Sequence, residues 1–158
     1  MRKQTTGPAA SLAETRLLAL FASLFLARVL GQLLVSRRPV RLLPPMEQWQ
    51  SGLLPYPVLL LAQGVILAAQ ASTVVQSRRG RGALVKPRPR AGLALRRASF
   101  AYFSAMIARY CVSMKRFPER RWLGKTIPIC AHCVLASYLM VYSRLLSRAP
   151  VDDPDRSS

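Results

Sequence analysis

Acidic residues are scarce in this chain: six Asp+Glu stand against 24 Lys+Arg in 158 residues. None of the six falls within the four long apolar blocks described below. That absence argues against a proton-coupled transporter built on an intramembrane carboxylate. There is a single histidine, His132, so a bis-histidine haem within one chain is excluded, though one shared across a dimer is not. The three cysteines do not amount to a disulfide framework. No phosphate loop, hydrolase elbow or paired carboxylate is present.

What the chain has in quantity is apolar sequence in long blocks. Apolar residues make up 51%, and the formal net charge is +18. A basic soluble protein of this size would suggest nucleic acid. Here the basic residues lie between the apolar blocks rather than on a surface beside aromatics, which is the pattern of a polytopic membrane protein and not of a nucleic-acid reader. The blocks are also apolar all round, which suits lipid better than a one-sided core stripe.

Four blocks approach the ~20 residues that cross a bilayer. They are 17–35, interrupted only by Arg28; 53–75, without charge; 98–114, interrupted by Arg109; and 127–146, which reaches its full length if Arg144 snorkels. The third is the weakest, being short and flanked by Arg96-Arg97 and Lys115-Arg116, so a three-span reading is the alternative. The fold expected is an all-α membrane protein, a small bundle of four transmembrane helices. Residues 1–16 form a cytoplasmic N-terminal segment, 17–146 the membrane domain and 147–158 a disordered tail carrying Asp152, Asp153 and Asp155. The first block is not read as a signal peptide, because Arg28 interrupts it and no clean small-residue cleavage site follows.

Four spans place 14 Lys/Arg on the side of both termini and eight on the other, which favours cytoplasmic termini. The arginine- and alanine-rich composition suits a bacterial inner membrane. The middle loop, 76–97, holds eight of the positives together with Gly and Pro that oppose regular structure. Beside a membrane such a loop attracts anionic lipid head groups, at about 1 kcal/mol per basic residue.

The first and third spans share a pattern. Ser23 to Arg28 and Ser104 to Arg109 both read Ser-x-x-x-Ala-Arg. Each is followed by a basic pair, a proline, an acid (Glu47, Glu119), a tryptophan (Trp49, Trp122) and a proline that opens the next span (Pro55, Pro128). The shared order reads as two parallel two-helix repeats, related by an axis along the membrane normal. That axis would bring Arg28 and Arg109 to equivalent depths, roughly 8–11 Å below the outer boundary. A guanidinium keeps its charge wherever it sits, at ~3 kcal/mol near a bilayer centre on insertion scales. The plain reading is two snorkelling arginines pairing with lipid phosphates or with Glu47 and Glu119. The functional reading is a cationic site in the outer half of the bundle, with Arg28, Arg109 and His132 as candidate ligand-binding residues for a carboxylate, a phosphate or a quinone carbonyl.

Cys130-Ala131-His132-Cys133 is the other candidate for chemistry. A Cys-x-x-Cys pair at a helix start suits redox work, because the helix N-terminus favours thiolate and both sulfurs share a face. Four spans with such a pair resemble the plan of membrane thiol oxidoreductases that reduce quinones, the disulfide-generating and vitamin K epoxide reductase types. The resemblance implies a quinone cofactor and Cys130–Cys133 as the redox pair. Those families use a second cysteine pair, whereas only Cys111 is left here. Metal is not expected, since His132 lies about 200° round a helix from Cys130. Gln63, Gly64, Gln70, Ser72 and Thr73 read as interhelical hydrogen bonding and close packing. The leading expectation is therefore a non-enzymatic accessory subunit or a binder of an anionic ligand or lipid. A thiol oxidoreductase is the alternative, and a small dimeric transporter is third. A membrane-protein partner or a homodimer would accompany the first and third readings.

Overall fold

The computed structural model describes residues 11–38, 43–46, 49, 55–79, 88–116 and 126–147. They form four helices: α1 (Leu12–Arg37), α2 (Tyr56–Arg79), α3 (Pro89–Arg116) and α4 (Thr126–Ser147). Three of them, α1, α2 and α4 from Ile127 to Ser147, are long and apolar enough to cross a membrane. The third helix is the longest, but Arg90, Arg96 and Arg97 occupy its first third and Lys115 and Arg116 its last turn.

Local chemistry sets the helix ends. The Ser11 hydroxyl accepts from the Glu14 backbone N–H at 3.2 Å, and the Glu14 carboxylate accepts from the Ser11 N–H at 3.1 Å. This reciprocal box starts α1 at Leu12, five residues ahead of the apolar block. Pro55 precedes α2, and Pro89 occupies the first position of α3, where its missing N–H leaves no partner wanting. The ends of the 76–97 loop are thus helical, contrary to the expectation that Gly and Pro would break them. Gly92 is tolerated because the space is taken by α4: a Cβ there would lie 2.9 Å from the Ser143 carbonyl oxygen. Residues 80–87, the tail beyond Ser147 and residues 1–10 lie outside the described set.

The helices run alternately up and down. Leu18 near the start of α1 joins Val74 near the end of α2 and Tyr138, Val141 and Leu145 near the end of α4 in one buried apolar cluster. The Arg88 N–H donates to the Leu146 carbonyl at 2.9 Å, so α3 begins beside the end of α4. α4 is the central helix: α1 packs on one side of it and α3 on another, while α2 packs on α1. A two-fold relation between hairpins would pack α3 on α2 as α1 packs on α4. No such packing occurs among the described residues. The parallel repeat is therefore present in helix direction but not in arrangement.

The outer surface is rich in large apolar side chains, and the interior holds uncharged polar residues beside its apolar cluster. Leu20, Leu24, Leu30 and Leu34 of α1 and Leu61 and Val65 of α2 are exposed. Gln32, Gln63, Gln70, Ser99 and Ser143 are buried.

Candidate functional site

Arg28 lies on α1, one turn before Gln32. Its Nη2 donates to the Trp49 carbonyl at 2.9 Å, and its Nε is buried with no protein partner. The Trp49 indole N–H donates to the Pro44 carbonyl at 2.9 Å. The indole ring lies against Gly31, where a Cβ would come within 2.6 Å of it. Arg28 thus ties the loop after α1 back onto the helix. Lipid phosphate is not needed to explain that one bond, and Glu47, Glu119 and Trp122 lie outside the described residues.

On α4, His132 meets α3. Its Nδ1 and the Tyr102 hydroxyl share a hydrogen bond of 2.5 Å, with the rings edge to face at 73° and centroids 5.8 Å apart. This bond fixes the imidazole's orientation and leaves Nε2 as its other hydrogen-bonding atom. Tyr102 was not singled out from the sequence, although the signal was there. Ser99, Tyr102, Met106 and Arg109 recur at helical spacing, so the tyrosine and Arg109 share a face.

Arg28 on α1 and Arg109 on α3 lie on the two helices that pack against α4, which carries His132. Arg28, Arg109 and His132 thus come from three neighbouring helices, α1, α3 and α4. Arg109 is exposed and has no hydrogen-bond or ion-pair partner among the described residues. The two arginines are therefore not equivalent: one is half-buried and tied to backbone, the other is open. The only acid among the described residues is Glu14, about 21 Å along α1 from Arg28 at ~1.5 Å per residue. Among the described residues no acid other than Glu14 accompanies these two positive charges.

Cys130, Cys133 and Cys111 are free thiols. Cys130 is the fifth residue of α4 rather than its first. The dipole at a helix start acts within the first turn, here on residues 126–129, so the N-terminal help expected for a thiolate falls short of the pair. Among the described residues no three of His, Cys, Asp or Glu converge as metal ligands.

A second polar feature lies between α1 and α2. The Gln63 Nε2 donates to Gln32 Oε1 at 3.1 Å. Gln32 is 1% exposed, Gln63 3% and Gln70 2%. Gln32 Nε2, Gln63 Oε1 and both amide atoms of Gln70 have no protein partner. A buried orphan of this kind costs about 1–3 kcal/mol. Four of them cost a sum comparable to the ~5–15 kcal/mol net stability of a whole domain. Of the α2 side chains expected to bond between helices, Gln63 does so, whereas Ser72 and Thr73 donate to the Ala69 carbonyl within α2. Gly64 has nothing within 4 Å of its Cβ position and is no close-packing site.

No protein-family model, curated protein or solved structure matches this chain.

Proposed function

We propose that the chain is a multi-pass membrane protein that binds an anionic group among α1, α4 and α3, through Arg28, Arg109 and the Tyr102-held His132. The observation that carries this reading is the buried, unpartnered Arg28 Nε on a helix packed against α4, with Glu14 the only acid among the described residues. Two unneutralised cations in an apolar bundle are costly unless an anion joins them. Arg28 Nε and the open Arg109 supply N–H donors suited to a phosphate or carboxylate. The role is non-catalytic: an accessory subunit or a lipid-binding protein.

In this reading α3 is the fourth span. It runs antiparallel to α4 from Gly92 beside Ser147 to Tyr102 beside His132, and exposes Phe100, Ile107 and Val112 as lipid-facing residues. Both termini face the cytoplasm of a bacterial inner membrane, as the distribution of Lys/Arg favours, and the arginines around 76–97 rest on anionic head groups. The site then lies in the outer half of the bundle.

Thermal unfolding in mixed micelles tests the reading. Phosphatidylglycerol should raise the midpoint of the wild-type chain, and phosphatidylcholine should not. Arg28→Gln/Arg109→Gln should reduce that difference to the part supplied by the basic residues of 76–97. An equal response to both lipids in wild type would count against the site.

A further inference from the structure

The seam of glutamines between α1 and α2 is a separate feature, independent of whether the arginines bind anything. Its stations can be ordered along the bundle. Gln32 and Gln63 form the first, close to the end of α1 and the beginning of α2. Gln70 is two turns further along α2, about 10 Å at ~1.5 Å per residue. The Tyr138 hydroxyl of α4 is at the same level, donating to the Gln70 backbone carbonyl at 3.3 Å. Tyr138 also opens the buried cluster that follows, with Leu18, Val74, Val141 and Leu145; the buried Ser77 and Ser143 hydroxyls at that end donate to carbonyls of their own helices.

Gln32 and Gln63 could satisfy each other by a small rotation into a pair with two amide–amide bonds. Gln70 has no such remedy. Its nearest amide on the seam is two turns away, and the tyrosine hydroxyl beside it is already given to backbone. A side chain 2% exposed therefore offers one donor nitrogen and one acceptor oxygen to a group outside the protein. The first station offers the same combination, a donor at Gln32 Nε2 and an acceptor at Gln63 Oε1.

The chemistry of the occupant follows from these groups. Each station needs a partner that donates and accepts at once. Among the described residues the seam has no carboxylate to hold a cation, and Arg28, one turn from Gln32, repels one. Anions are better served by the guanidinium than by amides. Water meets the requirement, needing two to four polar partners and little room.

We propose that the seam is a hydrated half-channel: water enters between α1 and α2 at the Gln32–Gln63 end, reaches Gln70 and Tyr138, and is stopped by the apolar cluster around Leu18. The bundle is then wet on one side of its midplane and dry on the other, although its outer surface is apolar throughout that depth.

Water-edited solid-state NMR on the full, unmodified chain in phosphatidylcholine bilayers tests this without any substitution. Glutamine labelled with nitrogen-15 reports the side-chain amides, and labelled leucine and valine report the plug and the lipid face. Polarisation from water should reach the Gln32, Gln63 and Gln70 amides several-fold faster than it reaches Leu18, Val74, Leu61 or Val65. Build-up at Gln70 as slow as at Leu18 would overturn the half-channel. So would equally fast build-up at Leu18 and Val74, because the plug would then not exist. A thiol scan gives a second, chemical readout. In a chain with Cys111, Cys130 and Cys133 replaced by serine, Gln63→Cys should react with a water-soluble methanethiosulfonate much faster than Val65→Cys. Equal rates would contradict the proposal.

Discussion

The Tyr102 hydroxyl and His132 Nδ1 stand 2.5 Å apart and bind α3 to α4. The chain's only histidine is thereby fixed in orientation by the fourteenth residue of an otherwise poorly apolar helix. Replacing Tyr102 by Phe removes the bond and keeps the ring. Stability should fall by about 0.5–1.5 kcal/mol, the usual net value of one hydrogen bond. The His132 Nδ1 nitrogen-15 shift should move with it. An unchanged shift would show that the contact does not form in the bilayer.

The α3–α4 crossing depends on a missing side chain. A Cβ at Gly92 would meet Ser147 and, at 2.9 Å, the Ser143 carbonyl oxygen. Gly92→Ala should therefore destabilise by about 1–3 kcal/mol through overpacking, despite alanine's better helix propensity. Gly64→Ala is the matched control. With open space around it, that change should be neutral or stabilise by up to about 1 kcal/mol. Unfolding of the two variants in one detergent, read by circular dichroism, compares them directly.

Arg28 has two duties in this structure, and different substitutions separate them. Arg28→Lys keeps a charge and one donor for the Trp49 carbonyl, but loses the forked guanidinium. It should hold the loop after α1 and weaken binding of an anionic lipid. Arg28→Leu should release the loop as well, raising the exposure of Trp49 and shifting its fluorescence to the red. Wild-type fluorescence in Arg28→Leu would mean that the Trp49 contact is not formed.

The free thiols give a prediction against the redox alternative. Cys130→Ser/Cys133→Ser should express, fold and bind lipid as wild type does. Alkylation of the wild-type chain should trap the same number of thiols with and without prior reductant. A reductant-dependent mass shift localised to the Cys130–Cys133 peptide would revive a quinone-linked oxidoreductase.

The apolar blocks were enough to place all four helices, since lipid-length apolar runs are visible without any knowledge of packing. Their ends were less visible. Ser11-Leu12-Ala13-Glu14 is a capping box that extends α1, but it sits outside the apolar block and so drew no attention. Pro89 and Gly92 looked like breakers; the first is harmless at a helix start, and the second fits only because α4 passes so close. That closeness is a tertiary fact which no local pattern carries. The repeated Ser-x-x-x-Ala-Arg motif suggested symmetric arginines. The structure makes them unequal because α1 is covered by α2 and α4, and α3 by α4 alone. His132 could be named from its rarity, and Tyr102 from its shared face with Arg109. The Gln32 partnership with Gln63 needed the α1–α2 register, which the sequence does not state.

The central claim is that an anion is held between Arg28 and Arg109, and native mass spectrometry of the full chain released from gently solubilised membranes addresses it most directly. The account gives a wild-type spectrum with one retained anionic phospholipid or other phosphate- or carboxylate-bearing adduct. That adduct should be lost in Arg28→Gln/Arg109→Gln and kept in Cys130→Ser/Cys133→Ser. A wild-type chain that carries no anionic adduct, or one retained equally by the double arginine variant, would contradict it.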